Sequence, residues 1–320
     1  MRDADAQSSN ARRIFVGDDA VAASRIGDVL ADSRGLAYGD GVFETMRAHC
    51  GAIHWWAEHW ARLTRGAERL GIRLPSQALV EAERDALLLN APDAVIKLML
   101  IRGSGSGVRG YAPDRDAAPL WWLSAHPLPS PLSSAVRLRW CETRLSAQPK
   151  LAGLKHCNRL EQVVARAEWH ALARLSDAGS DEASSDETDA AACDDGLMRD
   201  EAGAVIAATS ANLFVFRRAD GDDEGAWQTP RLDRCGIAGI CRGWALTALD
   251  AREATLTPED VESADAIFLC NAVRGILPVA QLGARRWSRH PALTEAQHRL
   301  AAAHPAFADI AIVDFSEVYP

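Results

Sequence analysis

The stretch Gly153-Leu-Lys-His-Cys-Asn-Arg-Leu-Glu-Gln162 decides the reading of this chain. It leads through a lysine into a run with helical spacing, Leu160, Val163, Val164, Ala167 and Leu172. The spacing predicts a helix over 158–175 with Asn158 as its N-cap, and sets Lys155 just ahead of it. A lysine at the edge of a packed element is partly desolvated, which disfavours its charged form and leaves an amine able to attack an aldehyde. Taken alone, a lysine before a helix is more often an ordinary solvated group. Composition changes that balance. Of 35 basic residues only Lys97, Lys150 and Lys155 are lysine, so arginine has taken almost every solvated position. A site that keeps lysine in such a chain needs an amine that can lose its proton, which a guanidinium cannot supply.

Working outward toward the N-terminus, Arg13 to Val16 and Gly41 to Ala48 read as strands, the second ending in a turn at Cys50-Gly51. Trp55, His59, Leu63, Ala67 and Leu70 recur at helical spacing, which predicts an amphipathic helix over 55–70; a second helix fits 77–89. The apolar run Ala94 to Arg102 suits a buried strand and Leu120 to Ser124 its neighbour, with the glycine-rich Gly103 to Tyr111 between them. His126-Pro-Leu-Pro-Ser-Pro-Leu-Ser-Ser134 holds three prolines and three serines in nine residues and reads as a linker. The expected organisation is α+β, with a smaller N-terminal α/β domain over 1–125, the linker over 126–134 and a larger domain over 135–320. In the second half, strands are expected at 136–140, 204–207, 212–217, 252–256 and 266–270, and a helix at 239–249. The acidic, serine-rich insert 177–189 is expected to be a disordered surface loop. The stretch from Ala280 has too weak a pattern to assign.

With 320 residues and 48% hydrophobic content, each of two domains can bury a core of its own. A net charge of -9 without a basic stripe argues against a nucleic-acid partner. No apolar run is long enough to cross a bilayer, and Met1 to Asn10 is polar and lacks a signal-peptide core, so a cytoplasmic protein with no membrane partner is expected. The seven cysteines are odd in number and lack metal-type pairing, which points to neither a disulfide framework nor a zinc cluster; no metal is expected.

One turn carries a second piece of chemistry. Gly236-Ile-Ala-Gly239 directly precedes a predicted helix, and small residues there leave backbone N–H groups aimed at one point, which suits a phosphate dianion; an ordinary connection into a helix reads the same way.

The lysine segment resembles that of the aminodeoxychorismate lyases, members of the fold-type IV pyridoxal-phosphate enzymes. Ser33-Arg-Gly-Leu-Ala-Tyr-Gly-Asp-Gly-Val-Phe-Glu-Thr45 is similar to the family's N-terminal signature and His59-Trp-Ala-Arg-Leu63 to its arginine-bearing helix. Ser210-Ala-Asn-Leu-Phe214, Thr229-Pro-Arg-Leu-Asp233, Cys235-Gly-Ile-Ala-Gly-Ile-Cys-Arg242 and Asn271-Ala-Val-Arg-Gly-Ile-Leu-Pro-Val279 follow in the family's order. The resemblance spans roughly residues 12–280. It implies two α/β domains with pyridoxal 5'-phosphate between them, held through Lys155, with Arg62 and the backbone amides of Ile237 and Ala238 on its phosphate. It also implies a homodimer.

For substrate binding it points to Arg47, Arg109 and Tyr111, since guanidinium forks suit a substrate with two carboxylates. The implied reaction converts 4-amino-4-deoxychorismate to 4-aminobenzoate and pyruvate, with Lys155 as general base. Two rivals remain open: an aminotransferase for D- or branched-chain amino acids, and a cofactor-binding protein that has lost catalysis. One position departs from the pattern. Relatives place a glutamate five residues before the asparagine of Asn-Leu-Phe, where it pairs with the cofactor's ring nitrogen; here Ala207 stands.

Overall fold

The computed structural model describes residues 13–103, 110–132, 134–177, 193–218 and 225–308, with the backbone alone at 170–177. Within it the chain forms two compact units. One takes the chain up to Pro129 together with Lys155–Asn158; the other takes Ser130–Leu154 and the chain from Arg159 onward.

The first unit runs β1 (Ile14–Val16), β2 (Asp19–Ala20), α1 (Ile26–Ala31), α2 (Arg34–Tyr38), β3 (Gly41–His49), β4 (Ala52–Ile53), α3 (Trp56–Leu70), α4 (Gln77–Leu88), β5 (Ala94–Ile101) and β6 (Leu120–His126). Its six strands lie in the order β2-β1-β6-β5-β3-β4. The period of two along β3 explains how the sheet meets α3. Val42, Glu44, Met46 and Ala48 are buried, whereas Phe43, Thr45, Arg47 and His49 on the opposite face are half-buried. Facing the first set, α3 buries His59, Leu63 and Ala67, which its spacing predicted, together with Arg62 and Gly66. Ile96, Leu98, Leu100 and Leu123 complete this core, and Phe15 stacks on Trp121 with ring centroids 4.3 Å apart. Each such large apolar side chain, once buried, contributes about 1.5–3 kcal/mol.

The strip Lys155–Asn158 lies antiparallel along the start of β3. Phe43 N–H donates to Lys155 O at 2.9 Å, Cys157 N–H donates to Gly41 O at 2.9 Å, and Val42 bridges His156. This corrects the expectation that Asn158 caps a helix. The helix α5 (Leu160–Asp177) starts two residues later, and Asn158 Nδ2 donates instead to Gly39 O at 3.3 Å. Gly39 ends α2 in the left-handed region, with φ +64, and a Cβ there would come within 2.4 Å of Asn158 Oδ1, so both backbone and packing require glycine.

In the second unit β7 (Val136–Leu145) and α5 are followed by β8 (Asp195–Asp200), β9 (Val205–Ala208), β10 (Asn212–Arg218), β11 (Gly225–Pro230) and α6 (Ile240–Ala248). Then come β12 (Arg252–Ala254), α7 (Pro258–Glu262), β13 (Ala266–Asn271), β14 (Gly275–Leu282), β15 (Arg285–Arg286) and α8 (Pro291–Ala303). Among the described residues the sheet has nine strands, ordered β12-β11-β10-β13-β14-β7-β8-β9, with β15 on β14. Phe214 and Phe268 stack at 4.8 Å across β10 and β13, and Trp227 meets Phe268 edge-on at 4.6 Å. Asp177, the first residue of the expected insert, ends α5, and 178–189 lie outside the described residues.

Candidate active site

In the first unit the site begins with a carboxylate that sequence reading passed over. The alternation of β3 drives Glu44 onto the core face, where it is 1% exposed. A buried carboxylate must be paired and fully bonded. Arg62, one α-helical face away on α3, supplies both: its Nε donates to Glu44 Oε1 at 2.8 Å and its Nη2 to Oε2 at 2.5 Å. His59, one turn earlier, lies with Nδ1 2.6 Å from the same Oε2. Burial pushes the Glu44 carboxyl up, but the charge and hydrogen bonds of Arg62, with the hydrogen bond from His59, overcome it and set the carboxyl at about 2. Burial moves His59 down from its ordinary value of 6.5; Glu44 resists, and the charges of Arg62 and Lys155 add to the lowering. Since an ionised carboxylate can only accept, Nδ1 of the neutral imidazole carries the proton. The fork of Arg62 is thus held by Glu44, which His59 holds in turn.

Lys155 extends toward the other group on β3. Its Nζ lies 4.4 Å from the centroid of the Phe43 ring, and Lys97 Nζ lies 5.2 Å from the same centroid. Lys97 stands opposite Thr45 in the β3–β5 ladder, on the half-buried face that also carries Phe43 and Arg47. Two of the three lysines of the chain therefore lie over one aromatic ring, and Arg47 lies on the same side of the sheet as that ring. A ring face attracts ammonium groups and replaces part of the water they lose.

The second unit contains the turn before α6. Gly153 N–H donates to Gly236 O at 3.0 Å, and Ala238 N–H donates to Gly153 O at 3.1 Å. This parallel bridge spends the amide of Ala238 within the turn and leaves that of Ile237 on the opposite side. Asn212 Nδ2 holds the Ile237 carbonyl at 2.9 Å. At Gly239 a Cβ would come 2.1 Å from Asn212 Oδ1, so any side chain there would displace the Asn212 amide. Gly239 is the N-cap of α6, with extended backbone, no side-chain cap and no acidic residue in the first turn. The helix therefore presents its first amides and the positive end of its dipole without a competing anion, and a phosphate fits the chemistry of that terminus.

The remaining expected residues fall as follows. Tyr111 is 87% exposed, its ring is 5.4 Å from that of Tyr38, and its carbonyl accepts from Arg34 Nη2 at 3.2 Å. Arg109 lies outside the described residues. Ala207 is buried and packs in a cluster with Cys141, Leu145, Ala165, Trp169, Met198, Ile206, Leu232 and Cys235. Glu44, His59 and Asn212 were absent from the expected site. The signal available for Glu44 was its place in the buried half of an alternating strand, 18 residues before Arg62 in sequence yet bonded to it in space.

Residues 41–173 and 181–282 match the family described as amino-transferase class IV. The chain is 32% identical over 260 residues to an aminodeoxychorismate lyase of Vibrio harveyi, across 78% of this chain and 86% of that protein. Among solved structures it is similar to 4-amino-4-deoxychorismate lyase from Pseudomonas aeruginosa, with TM-score 0.74 and 35% identity over 90% of this chain and 98% of the other. A hypothetical aminotransferase from Mycobacterium tuberculosis in its PLP-bound form shares the fold at TM-score 0.70 and 17% identity, covering 91% of this chain and 98% of that one.

Proposed function

This chain belongs to the class IV amino-transferase family, and from that premise we propose that it is a pyridoxal-phosphate-dependent lyase converting 4-amino-4-deoxychorismate to 4-aminobenzoate and pyruvate. The observation that carries the reading is Lys155, one of three lysines in the chain, whose amine is held on the face of Phe43 while its carbonyl is bonded to β3, in a chain 35% identical to a solved lyase.

When bound, pyridoxal phosphate supplies an aldehyde for the lysine and substrate amines and an electron-withdrawing ring. The residues of this chain do the rest. Lys155 would hold the cofactor through its aldehyde, and its amine, once released, would take the proton from the substrate ring carbon that bears nitrogen. It then returns a proton to the departing enolpyruvate, which becomes pyruvate, while the six-membered ring becomes aromatic. Arg62, Ile237 and Ala238 are assigned to the phosphate: Arg62 through the guanidinium that Glu44 orients, Ile237 through its amide, and Ala238 by fixing the turn through Gly153. Arg47, Arg109 and Tyr111 are assigned to the substrate carboxylates. Ala207 supports elimination over transamination. An alanine at this position lacks the carboxylate by which relatives keep the ring nitrogen protonated, and a reaction driven by aromatisation depends least on that proton.

Pyruvate release from 4-amino-4-deoxychorismate, followed in a coupled assay, tests the proposal. Lys155→Ala is expected to lower turnover by about three orders of magnitude or more, and Lys155→Arg equally, because the guanidinium stays protonated. Conversion of the cofactor to its amine form by 2-oxo acids, with no pyruvate released, would establish the aminotransferase instead. The proposal includes a cytoplasmic homodimer. Leu160, Val163 and Val164 on α5, exposed at 77%, 60% and 55%, form an apolar stripe that a second copy would cover. Sedimentation equilibrium is expected to give twice the chain mass, and Val164→Asp to shift it toward the monomer.

A further inference from the structure

Beyond that activity, we propose that the β3–β4 hairpin carries a binding site for one divalent cation of the zinc class, held by His49 Nε2, Cys50 Sγ and His54, with Asp93 fixing His49 from behind. The hairpin turn is short: His49 pairs with Ala52, and the two residues between them both have positive φ, 50 at Cys50 and 75 at Gly51. Such a turn ordinarily takes Asn, Asp or Gly at its first central position. Cysteine there is strained, and the strain is compensated from one direction. Asp93, at the entry to β5, accepts from Cys50 N–H at 3.2 Å and lies 2.9 Å from His49 Nδ1, while Gly51 N–H donates to Pro92 O at 3.0 Å.

Because an ionised carboxylate only accepts, Asp93 places the ring proton on Nδ1 and leaves the lone pair of Nε2 facing the thiol, 3.5 Å from Cys50 Sγ. That separation is what a tetrahedral ion sets between its ligands: bond lengths of roughly 2.3 Å to sulfur and 2.05 Å to nitrogen give about 3.5 Å. A carboxylate behind a ligating imidazole is also the arrangement that orients it and raises its basicity. Ligand atoms of His49, Cys50 and Asp93 all lie within 4.8 Å of one another.

Across the hairpin the His54 ring centroid is 6.3 Å from that of His49, at a tilt of 33°. Two imidazoles on one tetrahedral ion have centroids about 5 Å apart, so roughly 1 Å of side-chain movement brings His54 in. Cys50 and His54 are exposed, which leaves the fourth position to water. One thiolate with two imidazoles selects zinc or cobalt over magnesium or calcium. Binding displaces the thiol proton of Cys50 to solvent, so affinity rises with pH. The bound ion would brace the hairpin against β5, two residues from Arg47.

The test titrates the full-length holoenzyme with cobalt(II) and records difference spectra. One equivalent is expected to produce a thiolate-to-cobalt charge-transfer band in the near ultraviolet, which zinc(II) displaces. Cys50→Ser is expected to abolish the band, and His49→Gln and Asp93→Asn to weaken binding by about tenfold or more. As a readout on the unsubstituted chain, zinc is expected to protect Cys50 from alkylation as mapped by peptide mass. Absence of the band, its persistence in Cys50→Ser, or alkylation of Cys50 at the same rate with and without zinc would each overturn the proposal.

Discussion

A carboxylate with 1% of its surface exposed survives in an apolar core only because its partners satisfy both oxygens, and Glu44 shows what each partner contributes. Arg62 gives charge and a paired fork, while His59 gives a hydrogen bond without a second positive charge. Replacing Glu44 by Gln removes the negative charge and leaves the guanidinium buried and uncompensated. We expect a loss of about 3–5 kcal/mol in unfolding free energy, measured by urea titration. On the proposed function the same change weakens retention of pyridoxal phosphate on dialysis, because Arg62 loses the group that aims it. Retained stability in Glu44→Gln would mean that the ion pair contributes little.

Among elements, the turn into α6 makes the sharpest demand on sequence. Gly239→Ala would drive a Cβ into Asn212 Oδ1 and detach Asn212 from the Ile237 carbonyl. The expected outcome is about 1–3 kcal/mol of lost stability, from an unsatisfied buried amide, with a tenfold or greater fall in affinity for pyridoxal phosphate in equilibrium dialysis. Sequence reading found this turn, and most of the first unit, because small residues before a helix and alternation along β3 and β5 are local signals. It missed elements whose stability comes from distant partners. Asp195 opens β8 with a charge that would argue against a strand, yet Thr209 and Ser210 hydroxyls donate to it at 2.5 and 2.6 Å. Every residue of β14 is buried, and Pro278 in its middle, opposite Phe268, breaks the usual rule for a central strand. Likewise, the helix after Lys155 was legible but its first residue was not, since Asn158 is claimed by Gly39, 119 residues earlier in the chain. Lys155 itself was visible through composition; Glu44 and His59 required knowing that α3 lies on β3.

For the whole molecule, the buried trio makes stability depend on acidity in one direction. His59 is kept neutral in the fold, so its contribution is complete above its ordinary 6.5 and falls as the pH drops below that value. Glu44 is held at about 2, so its contribution is complete above the ordinary 4.5 and falls as the pH drops from 4.5 toward 2. Both losses occur on acidification. The midpoint of urea unfolding is expected to decline from pH 7 to 5 and more steeply below 4.5, and His59→Asn to flatten the upper part of that decline. A midpoint that stays level from pH 7 to 4 would count against the buried trio.

The strip Lys155–Asn158 gives the first unit a timetable. On the ribosome, β3 emerges long before the backbone that completes it, so Phe43 N–H waits for a carbonyl delivered more than a hundred residues later. Recombination at the proline-rich stretch, the natural seam for exchanging halves between related genes, would strand that lysine with the wrong parent. A crossover after residue 158 would instead part β7 from β14 and β8, so chimeras should tolerate a junction near 130, which mismatches only these four residues, better than one after 158.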